Sequence, residues 1–286
     1  MASLASLAAP ELRQVNPSPF LKWAGGKSRL LNELVSRAPR DYVRYFEPFL
    51  GGGALFFRLQ PRAAVLSDIN AEMVACYSAV KRHPEKVIRA LERHESQHDE
   101  AYYYTMRHGW NHSRAGLDLI ERAAAFIYFN KTCYNGLWRV NASGEFNVPI
   151  GRYVRPAIVN AEALRAASQA LGKAKLRNAP FEQVLDEAEA GDFVYFDPPY
   201  HPVSATACFT SYTAQRFDMF DQERLAEIFR ELDQRGCAVM LSNSDTPFIR
   251  RLYAGYRVHR VYCNRAINSK AAERAAVPEV IVTNRY

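Results

Sequence analysis

The chain has 286 residues, 48% of them hydrophobic, with 37 Lys plus Arg against 30 Asp plus Glu and a net charge of +7. That length can bury a sizeable core in one large domain or in one domain with an insertion. The five cysteines contain no CxxC pair, which speaks against a disulfide framework and a zinc site, and no apolar run approaches a membrane span.

Residues 1–19 are rich in Ala, Ser and Pro, without a basic start or a continuous apolar stretch. They do not read as a signal peptide, and 1–18 reads as a flexible tail. Unpaired, widely spaced cysteines fit a reducing, cytoplasmic setting. The basic excess reads either as a solvated surface or as the footprint of a polyanion partner, most simply nucleic acid.

"KWAGGKSRLL" (22–31) ends like a P-loop, but Leu21 stands where the first P-loop glycine belongs, so a Walker A motif is rejected. Two readings stay open here. Gly25, Gly26 and Lys27 form a loop over a ligand with Trp23 as an aromatic face, or Lys27 is an exposed residue at a helix start. "YVRYFEPF" (42–49) reads as a strand, "GGGALFFRLQ" as a glycine turn into a helix, and "AAVLSDIN" (63–70) as a strand ending in Asp68. Helical spacing dominates 71–130, and "GLWRVNASGEFNVP" (136–149) reads as a hairpin around Ala-Ser-Gly. A helix (161–171), a strand at "AKLRN", a short helix (182–190) and the strand "DFVYFD" follow. "QERLAEIFRELDQRG" reads as an amphipathic helix closed by Gly236, "CAVMLSN" as a strand, and "RVHRVYC" and "EVIVTNRY" as a closing pair.

This alternation predicts an α/β domain with a largely parallel sheet, interrupted between Asp68 and about 160 by an inserted helical module with a hairpin. Ligands of open α/β sheets sit at the carboxyl ends of the strands. Glu47, Asp68 and Asp197 each fall at such an end, so the three acids are expected in one cleft.

The glycine turn at "FEPFLGGGA" is either a plain tight turn before a helix or a turn that lets a ligand approach backbone N–H groups, in which case Asp68, 17 residues past Gly51, can accept ribose hydroxyls. Phe56 replaces the third glycine of a dinucleotide fingerprint, which favours a nucleoside ligand without pyrophosphate. Asp197-Pro198-Pro199-Tyr200 is the sharpest local signal. Prolines fix φ and present carbonyls rigidly; a carboxylate and a carbonyl suit an NH2 group, and a tyrosine suits a flat ring. "NKTCYNGLWRVN" (130–141) mixes Lys131, Arg139, Tyr134, Trp138 and Asn135 on the hairpin, a surface suited to a DNA groove or to a protein. His108 and His112 have a helical metal spacing, but the seven histidines include no HExxH arrangement, and no metal is expected.

Together these stretches resemble the Dam-type DNA adenine-N6 methyltransferases, the α group of amino-methyltransferases. The resemblance spans about 19–286 and rests on "PFLKWAGGKSRLL", "FEPFLGGGALFF", "LSDIN", "NKTCYNGLWRVNASGEFNVPIGRY", "FDPPYHPVSATACFTSY", "LSNSD" and "RAINSK", in that order. It implies a Rossmann-like methyltransferase fold with S-adenosylmethionine as methyl donor. Trp23, Ala24, Gly25, Lys27, Glu47, Pro48, Phe49, Gly51, Gly53, Asp68 and Phe181 match its cofactor positions, with Asp197 beside them. Asp197, Pro198, Pro199 and Tyr200 match the residues that hold the target adenine, flipped out of the duplex for direct in-line transfer.

The resemblance also implies a GATC site. Lys22 matches the reader of the first guanine, Tyr134 and Asn135 the wedge beside the flipped base, Leu137 and Pro149 the residues facing the third pair, and Arg139 the reader of the last guanine. Cys133, Trp138 and the "NASGE" turn depart from the pattern. The chain is read as a catalytic domain of 19–70 and 160–286 and a target-recognition domain of 71–159 on double-stranded DNA; it is read as a monomer because transfer to one base per event needs one subunit, and surface residues such as Lys27, Arg265 or Lys270 are candidate phosphate contacts. Beside this stand a longer site containing GAT, cytosine-N4 or RNA methylation, and a catalytically silent DNA-binding partner. A solitary role and a role beside a restriction nuclease both stay open.

Overall fold

The computed structural model describes residues 15–203, 217–263, 277–284 and 286. Most of the expected tail, the run from 204 to 216, Cys208, Arg265, Lys270 and "RAINSK" therefore lie outside the described residues.

Seven strands form one sheet: β1 (Tyr45–Glu47), β2 (Ala64–Asp68), β3 (Ala174–Asn178), β4 (Phe193–Phe196), β5 (Ala238–Ser244), β6 (Arg257–Cys263) and β7 (Val277–Thr283), in the order β3-β2-β1-β4-β5-β7-β6. The first five are parallel, and β7 runs antiparallel between β5 and β6. The central strands are apolar on both faces because both faces are covered. Tyr45, Leu66, Tyr195, Met240 and Ile281 point into one core. Their neighbours Phe46, Val65, Val194, Leu241 and Val282 point into the other. This period of two is the pleat of a strand read as burial.

Around the sheet lie α1 (Leu31–Arg37), α2 (Ala54–Leu59), α7 (Ala161–Leu171), α8 (Met219–Gln234) and α9 (Pro247–Leu252). Between β2 and β3 stand α3 (Ala71–Arg82), α4 (Pro84–Ser96), α5 (Glu100–Ser113) and α6 (Leu119–Thr132). The side chains of α6 from Ala123 to Asn130 are all buried, so it is the axis of this helical block. Its Phe126 and Phe129 join Met73 and Tyr77 of α3 in the first core, and α8 lays Leu225, Phe229 and Leu232 on the second. Burial of such a side chain contributes about 1.5–3 kcal/mol. Asn70, Asp99, Asp118, Asn160 and Thr246 cap the helices they precede by accepting first-turn N–H groups.

Three local expectations change. The helix expected at 182–190 is a 3-10 turn over Phe181–Asp186. The helix expected from Gln222 begins at Met219, where Asp218 and Asp221 form a capping box. The hairpin expected at 136–149 is a narrow ribbon held by antiparallel bridges, Val140 to Phe146 and, at its base, Cys133 to Ile150. It is fixed from below by Trp138, which stacks on Phe146 at 4.7 Å and packs on Phe126 of α6 at 4.1 Å between ring centroids.

Candidate active site

The site lies where β2, β1 and β4 end side by side. Glu47 closes β1, Asp68 closes β2 and Asp197 follows β4, so the expected convergence of the three acids follows from the strand order. Glu47 is buried at 3% exposure and accepts the Tyr45 hydroxyl at 2.9 Å. Burial pushes its carboxyl up to about 8, with smaller contributions from the charges of Asp197 and Asp68. Asp68 accepts the backbone N–H of Gly51 at 3.1 Å and of Asn70 at 2.9 Å; burial raises its carboxyl to about 6 against those bonds.

The glycine turn is built for close approach. Gly51 has φ +46°, and a Cβ there would stand 2.9 Å from the indole of Trp23. Gly53, also at positive φ, is the N-cap of α2. Pro48 is buried and Phe49 partly so; Phe49 stacks on Phe181 at 5.3 Å between centroids. Phe181 is itself buried, and Trp23 packs on Phe126. A half-buried carboxylate, a turn with no side chains and an adjoining aromatic pair fit the ribose and the adenine ring of S-adenosylmethionine. Trp23, Gly51 and Asp68 thus meet at the glycine turn, with Glu47 and Phe49 before it, Phe181 stacked on Phe49, Gly53 after it, and Ala24 and Gly25 in the loop that follows Trp23.

Asp197 is the centre of a second network. Ser242 of β5 donates to its Oδ1 at 2.8 Å, and Ser242 is itself bonded to the Tyr195 hydroxyl at 2.9 Å. Lys27 Nζ lies 2.7 Å from the same Oδ1. Burial raises the Asp197 carboxyl above its usual range, while Lys27 and Ser242 pull it down. The loop after it is braced: Gln222 of α8 donates to the Pro199 carbonyl at 2.9 Å, Asn243 orients Gln222 at 3.1 Å, and the His201 N–H donates to Asn243 at 3.0 Å. The Tyr200 hydroxyl donates to Glu279 of β7 at 2.9 Å. Ser242, Asn243, Gln222 and Glu279 escape a reading of motifs because their partners lie far along the chain; "LSNSD" was the one signal for the first two.

Lys27 is not the exposed lysine of a helix start. It is 8% exposed and buried against Asp197, so it offers no surface charge to a phosphate.

The residues matched to base reading share a neighbouring surface. Asn130 of α6 joins them: its side chain accepts the Lys22 N–H at 2.8 Å and donates to the Lys22 carbonyl at 2.7 Å and to the Gly136 carbonyl at 3.2 Å. Asn130 was not singled out from the sequence. Lys22 is exposed, with its ammonium 4.7 Å from the Tyr153 ring centroid. Tyr134 and Asn135 are exposed on a tight turn, with Asn135 at φ +55°. The Tyr134 N–H donates to the Pro149 carbonyl at 2.9 Å, which holds the turn to the far side of the ribbon. Arg139 is exposed and donates to Asn147 at 2.8 Å, and Leu137 is half-buried between them. His108 and His112 stack at 4.2 Å, and no group of three or more His, Cys, Asp or Glu able to hold a metal occurs among the described residues. No helix among them is long and apolar enough to cross a membrane.

The sheet order, with the glycine turn after β1 and the Asp-Pro-Pro-Tyr loop after β4, is that of a Rossmann-like methyltransferase. The family model for D12 class N6 adenine-specific DNA methyltransferases matches residues 23–267, and the chain belongs to that family. It is therefore an adenine-specific DNA methyltransferase that uses S-adenosylmethionine. A type II methyltransferase of Lactococcus lactis subsp. cremoris is 42% identical over 95% of this chain and 96% of its own. A type II methyltransferase of Methanocaldococcus jannaschii is 41% identical over 93% and 98%. The DNA adenine methylase of Escherichia coli K12 is 37% identical over 92% and 93%.

Proposed function

We propose that the protein methylates N6 of adenine within GATC in duplex DNA, drawing the base out of the helix into the pocket at Asp197–Tyr200. The observation that carries the pocket is the braced Asp197, on a rigid Pro-Pro loop beside the Tyr200 ring and one strand away from the glycine turn. The kinship to a DNA adenine methylase supports the reading.

The amino group of adenine is a weak nucleophile because its lone pair is delocalised into the ring. The Asp197 carboxylate and the Pro198 carbonyl accept its two N–H bonds. That favours a pyramidal nitrogen and stabilises the positive charge that grows on it. Pro199 and the Gln222 bond keep the loop rigid, so the lone pair keeps one direction. Tyr200 stacks on the base, and Glu279 sets the tilt of its ring. S-adenosylmethionine supplies an electrophilic methyl group, held by Asp68 at the ribose, by Phe49 and Phe181 at the adenine ring, and by Glu47 and the loop from Trp23 to Gly25. The base must leave the duplex because the pocket lies at strand ends, walled by β4, β5 and the 22–27 loop.

On the DNA side, Lys22 reads the first guanine, Tyr134 and Asn135 fill the gap beside the flipped base, Leu137 and Pro149 face the third pair, and Arg139 reads the last guanine. We divide the chain into a catalytic domain (19–70 and 160–286) and a recognition domain (71–159), acting as a monomer. Asp197→Ala tests the pocket: methylation is lost while S-adenosylmethionine affinity, followed by calorimetry, changes by less than about threefold. Equal loss of both would overturn the role.

A further inference from the structure

Lys27 occupies space that the proposed chemistry needs for something else. Its ammonium sits 2.7 Å from Asp197 Oδ1 and 2.5 Å from the Gly25 carbonyl, and 4.5 Å from the centroid of the Tyr200 ring. An aromatic ring packed on Tyr200 places its own centroid about 4.5–7 Å away. An amino group received by Asp197 needs an N to O distance of about 2.7–3.2 Å. The lysine therefore satisfies both contacts of the target base at once, as a donor to the carboxylate and as a cation over the ring.

We propose that Lys27 is the resident occupant of the base pocket, standing in for the adenine amino group until a flipped base displaces it. This rests on the reading of Asp197–Tyr200 as that pocket. A half-buried carboxylate held by Ser242 alone keeps an uncompensated charge, which is costly, and Lys27 removes that cost while the pocket has no base. Retained during transfer, the ammonium would do harm. Nitrogen gains positive charge as it takes the methyl group, and a fixed cation sharing its acceptor would raise the barrier by like-charge repulsion. Displacement leaves the full carboxylate to the reacting nitrogen. Lys27 has somewhere to go, because its stem springs from the loop that follows Trp23 and its three-residue turn carries no side-chain cap. Ser242 stays on Asp197 in both states, anchored by Tyr195.

Among the described residues, the charged and titratable groups facing Asp197 are Lys27 from the loop, Glu47 from β1, Tyr195 from β4 and Tyr200, with Glu279 of β7 behind Tyr200. Among them Lys27 is the cation, so its removal should act on the base-free state alone. The experiment compares wild type with Lys27→Met at saturating S-adenosylmethionine. The pH dependence of kcat/KM for DNA reports the protein before the base binds; that of the single-turnover rate at saturating protein reports the complex. In Lys27→Met the acid limb of kcat/KM moves up by about 1–3 pH units, and the single-turnover limb stays where it was. Equal movement of both limbs means that Lys27 remains on Asp197 during transfer, and movement of neither means that it never governs Asp197. Either result overturns the proposal.

A second measurement needs no variant. Crystal structures of the wild-type protein with S-adenosylhomocysteine are compared without DNA and with a duplex carrying the methylated site. The proposal requires Lys27 on Asp197 in the first and the adenine amino group in its place in the second. A base on Asp197 with Lys27 still bonded there overturns the displacement and leaves the pocket intact. A base bound elsewhere overturns the pocket and the proposal with it.

Discussion

At the scale of single residues, burial and partners decide which acids are charged. Burial pushes the Glu47 carboxyl up to about 8, against 4.5 for the free side chain. The unfolded chain gives up this proton first, so the folded state loses stability as pH rises from about 4.5 to about 8, on the order of 1 kcal/mol per pH unit. Glu47→Gln keeps the shape and cannot ionise. Chemical denaturation over that window should show the variant losing less stability than wild type, with the gap largest near pH 8. Parallel curves would mean that Glu47 is charged throughout. Arg139 belongs to the other surface. Its Ala variant should lose about 1–3 kcal/mol of discrimination at the last base pair, read by competition among duplexes differing there. Unchanged selectivity would remove Arg139 from that role. The residue types of both surfaces were legible in the motifs. The pairing of Lys27 with Asp197 was not, since it depends on a loop folding across two strand ends from 170 positions earlier in the chain.

At the scale of elements, the turn over Tyr134–Gly136 shows how one glycine ties two surfaces. Gly136 has φ +65°, and a Cβ there would stand 2.8 Å from Lys22 Cδ and 3.1 Å from the Asn130 carbonyl. Gly136→Ala should cost about 1–2 kcal/mol of stability, measured by urea unfolding, and push Lys22 off its site. Weaker discrimination at the first guanine should accompany it; a stable variant with intact discrimination would contradict the coupling. Elements with a strong period were readable: α7 keeps its expected bounds at 161–171, and β3 is "AKLRN". Short elements were not. α9 has six residues and the turn at Phe181–Asp186 is 3-10, too brief for a period to register, and the cap that starts α8 outweighs its apolar pattern.

At the scale of the whole molecule, strand order does the assembling. Placing β1 between β2 and β4 brings Asp68, Glu47 and Asp197 to one rim, although 150 residues separate the first from the last of them. The helical block then sets Asn130 under Lys22, so that a single loop, 22–27, runs from the Asn130 contact to the Asp197 carboxylate. Alternation of elements announced this sheet, and the motif order announced the chemistry. The bracing by Gln222, Ser242 and Glu279 became visible only with the chain folded, because each reaches the loop from a different element. The central claim is adenine-N6 methylation confined to one four-base site. Incubation of the purified protein with S-adenosylmethionine and unmethylated plasmid, followed by mapping of every modified base, tests it most directly. N6-methyladenine at GATC and nowhere else is the predicted result. N6-methyladenine in another context would contradict the readout by Lys22, Leu137, Arg139 and Pro149, and a plasmid left unmodified despite bound cofactor and DNA would contradict the catalytic role of Asp197.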